Sequence, residues 1–89
     1  MASFRVFFRP SVAKDFRGLP RNVADRIVTA IHTLESSPFP RGAVKLEGSE
    51  ELYRLRVGDY RVVYGVDASA QTILIHRVRH RREVYQNLN

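Results

Sequence analysis

Cysteine is absent from the 89 residues, which excludes a disulfide framework, a thiolate metal site and thiol redox chemistry. Lysine is scarce, with Lys14 and Lys45 the only two among fifteen Lys and Arg residues. Apolar runs approaching the roughly 18 residues of a membrane-spanning helix do not occur, and neither does a signal-peptide pattern, so the expected compartment is the cytoplasm, with no membrane partner. The chain has no internal repeat and no low-complexity segment. Metalloprotease HExxH, paired-carboxylate, phosphate-loop and Ser-His-Asp patterns are all missing. His76 and His80 lack nearby carboxylate or thiolate co-ligands, so no metal or other cofactor is expected.

What is present suits one small domain spanning 1–89. Hydrophobic residues make up 44%, and four Tyr and five Phe supply aromatic bulk, enough for a single core and not a second. The net charge is +6 and the pI about 10.5. Residues 52 to 89 hold seven arginines against Asp59, Asp67 and Glu83, a net of +4, while residues 1 to 51 carry +2. An arginine-borne excess of this kind favours nucleic acid, an anionic surface or an acidic protein as partner.

The stretch Leu52 to Val66, LYRLRVGDYRVVYGV, is predicted to be a β-hairpin. Two period-two runs flank Gly58-Asp59, and Gly at the first loop position fits a type II′ turn. That turn fixes the register: Val57 opposite Tyr60, Arg56 opposite Arg61, Leu55 opposite Val62, Tyr53 opposite Tyr64. Alternation then gives Tyr53, Leu55, Val57, Tyr60, Val62, Tyr64 and Val66 one apolar face, and Arg54, Arg56 and Arg61 the other. Like charges directly across a strand pair cost up to about 1 kcal/mol. Arg56 against Arg61, with Arg54 nearby, therefore reads either as a splayed solvated face or as an anion site, and the planar guanidinium fork suits phosphate.

Ser3 to Arg9 reads as an opening strand ended by Pro10, and Ser11 as the N-cap of a short helix through Arg17, with Val12 and Phe16 inward. Gly18 closes it, and Pro20 suits the first turn of a second helix over Arg21 to Glu35, with Val23, Ile27, Ala30, Ile31 and Leu34 on one stripe. His32 reads as a solvated residue late in that helix. Ser36 to Gly48 is a connector marked by Pro38, Pro40 and two glycines, pinned to the core by Phe39 and by Val44 or Leu46. Thr72 to Val78 is a further strand; pairing Val66 with Thr72 would set Arg77 opposite Arg61. The ending RVRHRREVYQNLN gathers Arg77, Arg79, His80, Arg81, Arg82 and Tyr85 at a strand exit and in a short terminal helix. The expected fold is α+β, ordered β-α-α-β-β-β: a mainly antiparallel four-stranded sheet, two helices on its apolar face and a short C-terminal helix.

An arginine-lined groove with a histidine and a tyrosine close by suits metal-independent RNA cleavage. In that reaction the 2′-OH attacks the adjacent phosphate, guanidiniums stabilise the phosphorane and a titratable group moves protons. Tyr85 could stack on a splayed base.

The element order, with YRLRVGDYRVVYGVD followed by HRREVY, resembles the RelE toxins of the RelE/ParE superfamily over nearly the whole chain. The resemblance implies a microbial-RNase-like fold and a ribosome-dependent mRNA endonuclease acting in the A site, which inhibits translation. It also implies a cognate RelB-like antitoxin that wraps the toxin in a hetero-oligomer, with operator DNA reached only through the antitoxin. By position, Arg54 and Arg56 match the family's two basic strand residues and Arg61 its phosphate-stabilising arginine. Arg81, with Arg79 as the alternative, matches the general acid or leaving-group stabiliser, and Tyr85 matches the terminal tyrosine that orients substrate. Arg77 and Arg79 are RNA-binding candidates. The family carries lysines where this chain has Arg54 and Arg56, and arginine cannot shed its proton near neutrality, so His80 is the candidate base on pKa grounds. Two alternatives remain open: a ParE-like toxin that poisons DNA gyrase without nuclease activity, and an inactive, antitoxin-bound co-repressor whose basic face only binds nucleic acid.

Overall fold

The computed structural model describes residues 3–48 and 51–80. Seven elements follow in order: β1 (Arg5–Phe8), α1 (Pro10–Arg17), α2 (Arg21–Leu34), β2 (Ala43–Lys45), β3 (Leu52–Val57), β4 (Tyr60–Asp67) and β5 (Thr72–His80). They build one mixed sheet in the order β1-β5-β4-β3-β2 with β4 at its centre. The expected short C-terminal helix lies outside the described residues.

Two features correct the expected four-stranded antiparallel sheet. The connector contributes a fifth strand, β2, antiparallel to β3 with Val44 opposite Arg54. β1 pairs parallel to β5, from Arg5 opposite Thr72 to Phe8 opposite Ile75. A parallel neighbour needs a long crossover, here the two helices, β2 and the β3–β4 hairpin.

Helix α1 starts at Pro10, ahead of the Ser11 expected to cap it. Pro10 occupies the first turn, where its missing N–H costs nothing, and Arg9 is the N-cap without a side-chain hydrogen bond. Gly18 closes the helix as expected, donating its N–H to the Asp15 carbonyl at 3.2 Å. Pro20 is the N-cap of α2. His32 is exposed, with Glu35 Oε1 3.5 Å from its Nδ1.

Both helices cover one face of the sheet. Val12, Ile27, Ile31 and Leu34 meet Leu55, Val62, Tyr64, Ile73, Ile75 and Val78 in the buried core. Tyr64 is fully buried at its centre; its hydroxyl donates to the Pro38 carbonyl at 2.7 Å. Burial, and secondarily Tyr53, pushes its pKa up to about 12. Phe39, Tyr53 and Tyr64 form a run of ring contacts at 4.9 and 5.9 Å, so Phe39 grips the hairpin although half of it is exposed. Of the two other connector residues, Leu46 is the buried one and Val44 the exposed one.

Candidate nucleic-acid interface

The β3–β4 hairpin has the predicted register, including Arg56 opposite Arg61. Gly58 sits at φ 61 while Asp59 does not enter the left-handed region, the combination a type II′ turn requires. The like-charge pair has a structural return. Arg56 Nε and Arg61 Nη1 both donate to the Gly58 carbonyl at 3.3 Å, and Arg61 Nη1 also reaches the Tyr60 carbonyl at 3.0 Å. The turn thus ties two guanidiniums to one oxygen.

The register of β5 differs from the expected one. Asp67, not Val66, pairs with Thr72, which turns Ile73 and Ile75 onto the core side against Val66 and Tyr64. A register shift follows between Val63 and Tyr64, whose partners are Arg77 and Ile75. His76 is the extra residue of this β-bulge, and such a bulge reverses which face later side chains occupy. The core therefore receives Ile73, Ile75 and then Val78, whereas Arg77 and Arg79 turn to the other face. Arg79, not Arg77, lies opposite Arg61, and Arg77 lies opposite Val63.

Two rows result on the face away from the helices. One runs Arg56, Arg61, Arg79 across three strands; the next runs Val44, Arg54, Val63, Arg77 across four. Alternate residues along a strand are about 7 Å apart, so the rows are spaced by that distance. Of the predicted site residues, the structure thus brings Arg54, Arg56, Arg61, Arg77 and Arg79 together.

Arg61 is the unusual member. It is 7% exposed, and no carboxylate lies within ion-pair distance of it among the described residues. Burying a cation without a counter-charge costs several kcal/mol, which carbonyl oxygens offset only in part. No described side-chain nitrogen or oxygen is sealed from solvent without a partner, so the donors that Arg61 does not spend on carbonyls reach the surface.

Arg79 is held differently. It forms an ion pair with Asp15 of α1, whose carboxylate is 7% exposed. The other Asp15 oxygen accepts the backbone N–H of Val78 at 3.0 Å. β1 ends at Phe8, opposite Ile75, so Asp15 serves the edge of β5 where no strand continues. From sequence alone, Asp15 is only an acidic residue in a short helix.

His80 lies apart from the arginine rows. It pairs with Tyr60, a residue packed against the core, and their rings meet edge-on at 5.3 Å. Arg81 and Tyr85 lie outside the described residues. His76, from sequence only a weak metal-ligand candidate, gains a specific partner in the structure. Its Nδ1 is 3.3 Å from Arg9 Nη1, and its pKa is lowered by burial first and then by Arg9 and Arg77.

A small mixed sheet with two helices on one face and two arginine rows on the other is the fold of the toxins of toxin–antitoxin pairs. The family model described as the ParE toxin of the type II toxin–antitoxin system parDE matches residues 6–85, and the chain belongs to that family. The Methanocaldococcus jannaschii protein described as "Putative toxin RelE1" is 33% identical over 87 residues, covering 94% of this chain and 97% of its own length. Toxin RelE3 of the same organism is 31% identical, covering 91% and 94%. Among solved structures, a chain of the archaeal RelE–RelB complex of Pyrococcus horikoshii OT3 is 36% identical with a TM-score of 0.79, covering 91% of this chain and 97% of that one. A chain of the RelB–RelE complex of Methanococcus jannaschii is 28% identical with a TM-score of 0.77, covering 93% and 99%.

Proposed function

We propose that this toxin is a ribosome-dependent endoribonuclease that cleaves mRNA in the A site and thereby inhibits translation. The observation that carries the reading is Arg61: a nearly buried guanidinium without a carboxylate partner among the described residues, centred in a row of arginines. A transferring phosphate supplies the counter-charge this position lacks.

In the reaction, a substrate 2′-OH attacks the neighbouring phosphate without a metal. Negative charge gathers on the phosphorane, and Arg61 stabilises it from a turn that already fixes its Nη1, so little reorganisation is needed. Arg56 shares the Gly58 carbonyl and flanks the same phosphate. Arg54 and Arg77, one row further, bind the adjacent phosphate, and Arg79 contributes field while remaining anchored to Asp15. By family resemblance Arg81 stabilises the leaving oxygen and Tyr85 stacks on a base; the general base is left unassigned, because His80, the candidate on pKa grounds, turns to Tyr60 and away from the arginine rows.

The partner that restrains this chemistry is a RelB-like antitoxin in a hetero-oligomer, acidic enough to cover the basic rows; operator DNA is contacted through it. The RelE–RelB complexes among the similar structures support the antitoxin partner. The ParE description of the matching family keeps a second reading, inhibition of DNA gyrase.

The test is translation in a cell-free extract with wild-type toxin and Arg61→Ala, run beside a gyrase supercoiling assay. The nuclease reading expects wild-type inhibition with cleaved mRNA, a loss of roughly 100-fold or more in Arg61→Ala, and untouched gyrase. Inhibited supercoiling with intact mRNA would replace it by the second reading.

A further inference from the structure

Beyond the two arginine rows, the same face of the sheet changes character. The third row runs Leu52, Gly65, Leu74, and it borders a groove of about 690 Å³ lined also by Glu51, Asp67 and His76. Gly65 makes the room. A Cβ there would lie 3.4 Å from His76 Nε2 and 3.5 Å from Leu52 Cδ2, so any side chain would compete with the groove.

We propose that this groove seats a guanine base of the RNA strand whose phosphates lie on the arginine rows, with His76 and the Asp67 and Glu51 carboxylates reading its edges. The proposal rests on the nuclease reading above. Four observations carry it: position, shape, tautomer and charge.

The groove starts one row, about 7 Å, beyond Arg54 and Arg77, close enough for a base belonging to a nucleotide bound there. Leu52 and Leu74 give its lining apolar surface suited to the faces of a base, and Glu51, Asp67 and His76 add polar groups to the same lining. The tautomer of His76 follows from Arg9. A guanidinium only donates, so His76 Nδ1, 3.3 Å from Arg9 Nη1, must accept, and the ring proton resides on Nε2, toward Gly65. The lowered pKa agrees, because burial and the charges of Arg9 and Arg77 keep the ring neutral. The groove therefore offers a donor from His76 and carboxylate acceptors from Glu51 and Asp67. Guanine matches this set, with O6 and N7 as acceptors on one edge and N1–H beside N2–H₂ as adjacent donors for a carboxylate. Adenine offers a carboxylate only its N6 amino group, without a second donor beside it, and uracil offers a single N–H. The carboxylates also repel phosphate, which directs the backbone to the arginines and the base to the groove.

The experiment uses short 2′-O-methyl oligonucleotides, which cannot be cleaved, and measures binding by fluorescence anisotropy. Three probes are compared: all uridine, one central guanosine, and one central inosine, which lacks the N2 amino group. Wild-type toxin is expected to bind the guanosine probe roughly ten-fold tighter than the uridine probe, one bidentate contact's worth, with inosine between. His76→Ala and Asp67→Asn should each erase most of that preference and leave uridine binding unchanged. His76→Gln, whose amide can still donate, should keep it. Asn at position 67 retains the Oδ1 that accepts the Ala70 N–H at 3.0 Å, so loss of preference there would not come from a disrupted turn. Salt-sensitive binding that is equal for all three probes would overturn the groove assignment and leave the nuclease reading intact. Binding of none of them would overturn the groove assignment too, while the cell-free translation assay with Arg61→Ala decides the nuclease reading separately.

Discussion

Removing the carboxylate of Asp15 tests whether a helix side chain stands in for a missing strand. Asp15→Ala deletes the acceptor of the Val78 N–H, a charge-assisted bond at 3.0 Å to a residue that is 2% exposed. Hydrogen bonds to charged groups contribute about 1.5–3 kcal/mol, and the orphaned N–H adds desolvation cost within that figure. The substitution also strips the counter-charge from Arg79, which is 28% exposed and can swing into water, so this adds only about 1 kcal/mol. The total is about 3 kcal/mol, a large share of the roughly 5–10 kcal/mol expected of so small a domain. Asp15→Asn keeps an acceptor for Val78 and loses the charge, so it should cost about half as much. The assay is urea unfolding of each purified variant followed by circular dichroism, with Arg79→Met added to complete a double-mutant cycle. The Ala variant should lose most, and Asp15→Ala should cost about 1 kcal/mol less once Arg79 is already Met. An Asp15→Ala cost below about 1 kcal/mol, or equal costs for Asn and Ala, would show that the Asp15 carboxylate does not stand in for the missing strand.

Other consequences follow from single residues. Tyr64 has a folded pKa of about 12 against 10.0 unfolded, so its contribution to stability is fully present below pH 10 and is lost as the pH rises through 12. The shift corresponds to about 3 kcal/mol, and alkaline unfolding curves of wild type should show that slope while Tyr64→Phe should not. Gly58→Ala places a Cβ 3.3 Å from Arg26 Nη2 at a φ of 61. Strain at this turn should cost about 1–2 kcal/mol, read as a lowered urea midpoint with an unchanged slope. His76, whose pKa is lowered, leaves stability intact above its unfolded value of 6.5 and erodes it as the pH falls from there through the lowered value. His76→Gln should flatten that acid limb in a pH series of thermal melts.

The parts of the fold legible in the sequence are those fixed by local chemistry. A two-residue Gly-Asp turn leaves one choice of register, so every pairing from Val57–Tyr60 to Tyr53–Tyr64 followed from it. Gly18 and Pro20 marked the break between helices because one ends a helix and the other begins one. What escaped depended on distant partners. β2 is three residues inside a Pro- and Gly-rich connector, and it is a strand because Leu55, Arg54 and Tyr53 offer it an edge. The parallel partner of β1 is 67 residues away in sequence, beyond any local pattern. The bulge at His76 did leave a trace: Ile73, Ile75 and Val78 are buried, a 2-then-3 spacing that strict alternation cannot satisfy. Together with the Asp67–Thr72 register, that spacing sets Arg79 beside Arg61. The candidate site divides the same way. The arginines of the hairpin were readable from alternation, whereas the burial of Arg61, the anchoring of Arg79 by Asp15 and the groove at Gly65 arise only when β5 and α1 are packed against them.

On the proposed nuclease reading, the arginine face cleaves mRNA on the ribosome. Primer extension of a reporter mRNA after brief toxin expression tests it most directly, with wild type compared with Arg61→Ala and with a reporter whose start codon is removed. Cuts confined to the translated frame, absent without translation and absent in Arg61→Ala, are the predicted result. Growth arrest with an intact transcript, or cuts that persist in Arg61→Ala, would contradict it.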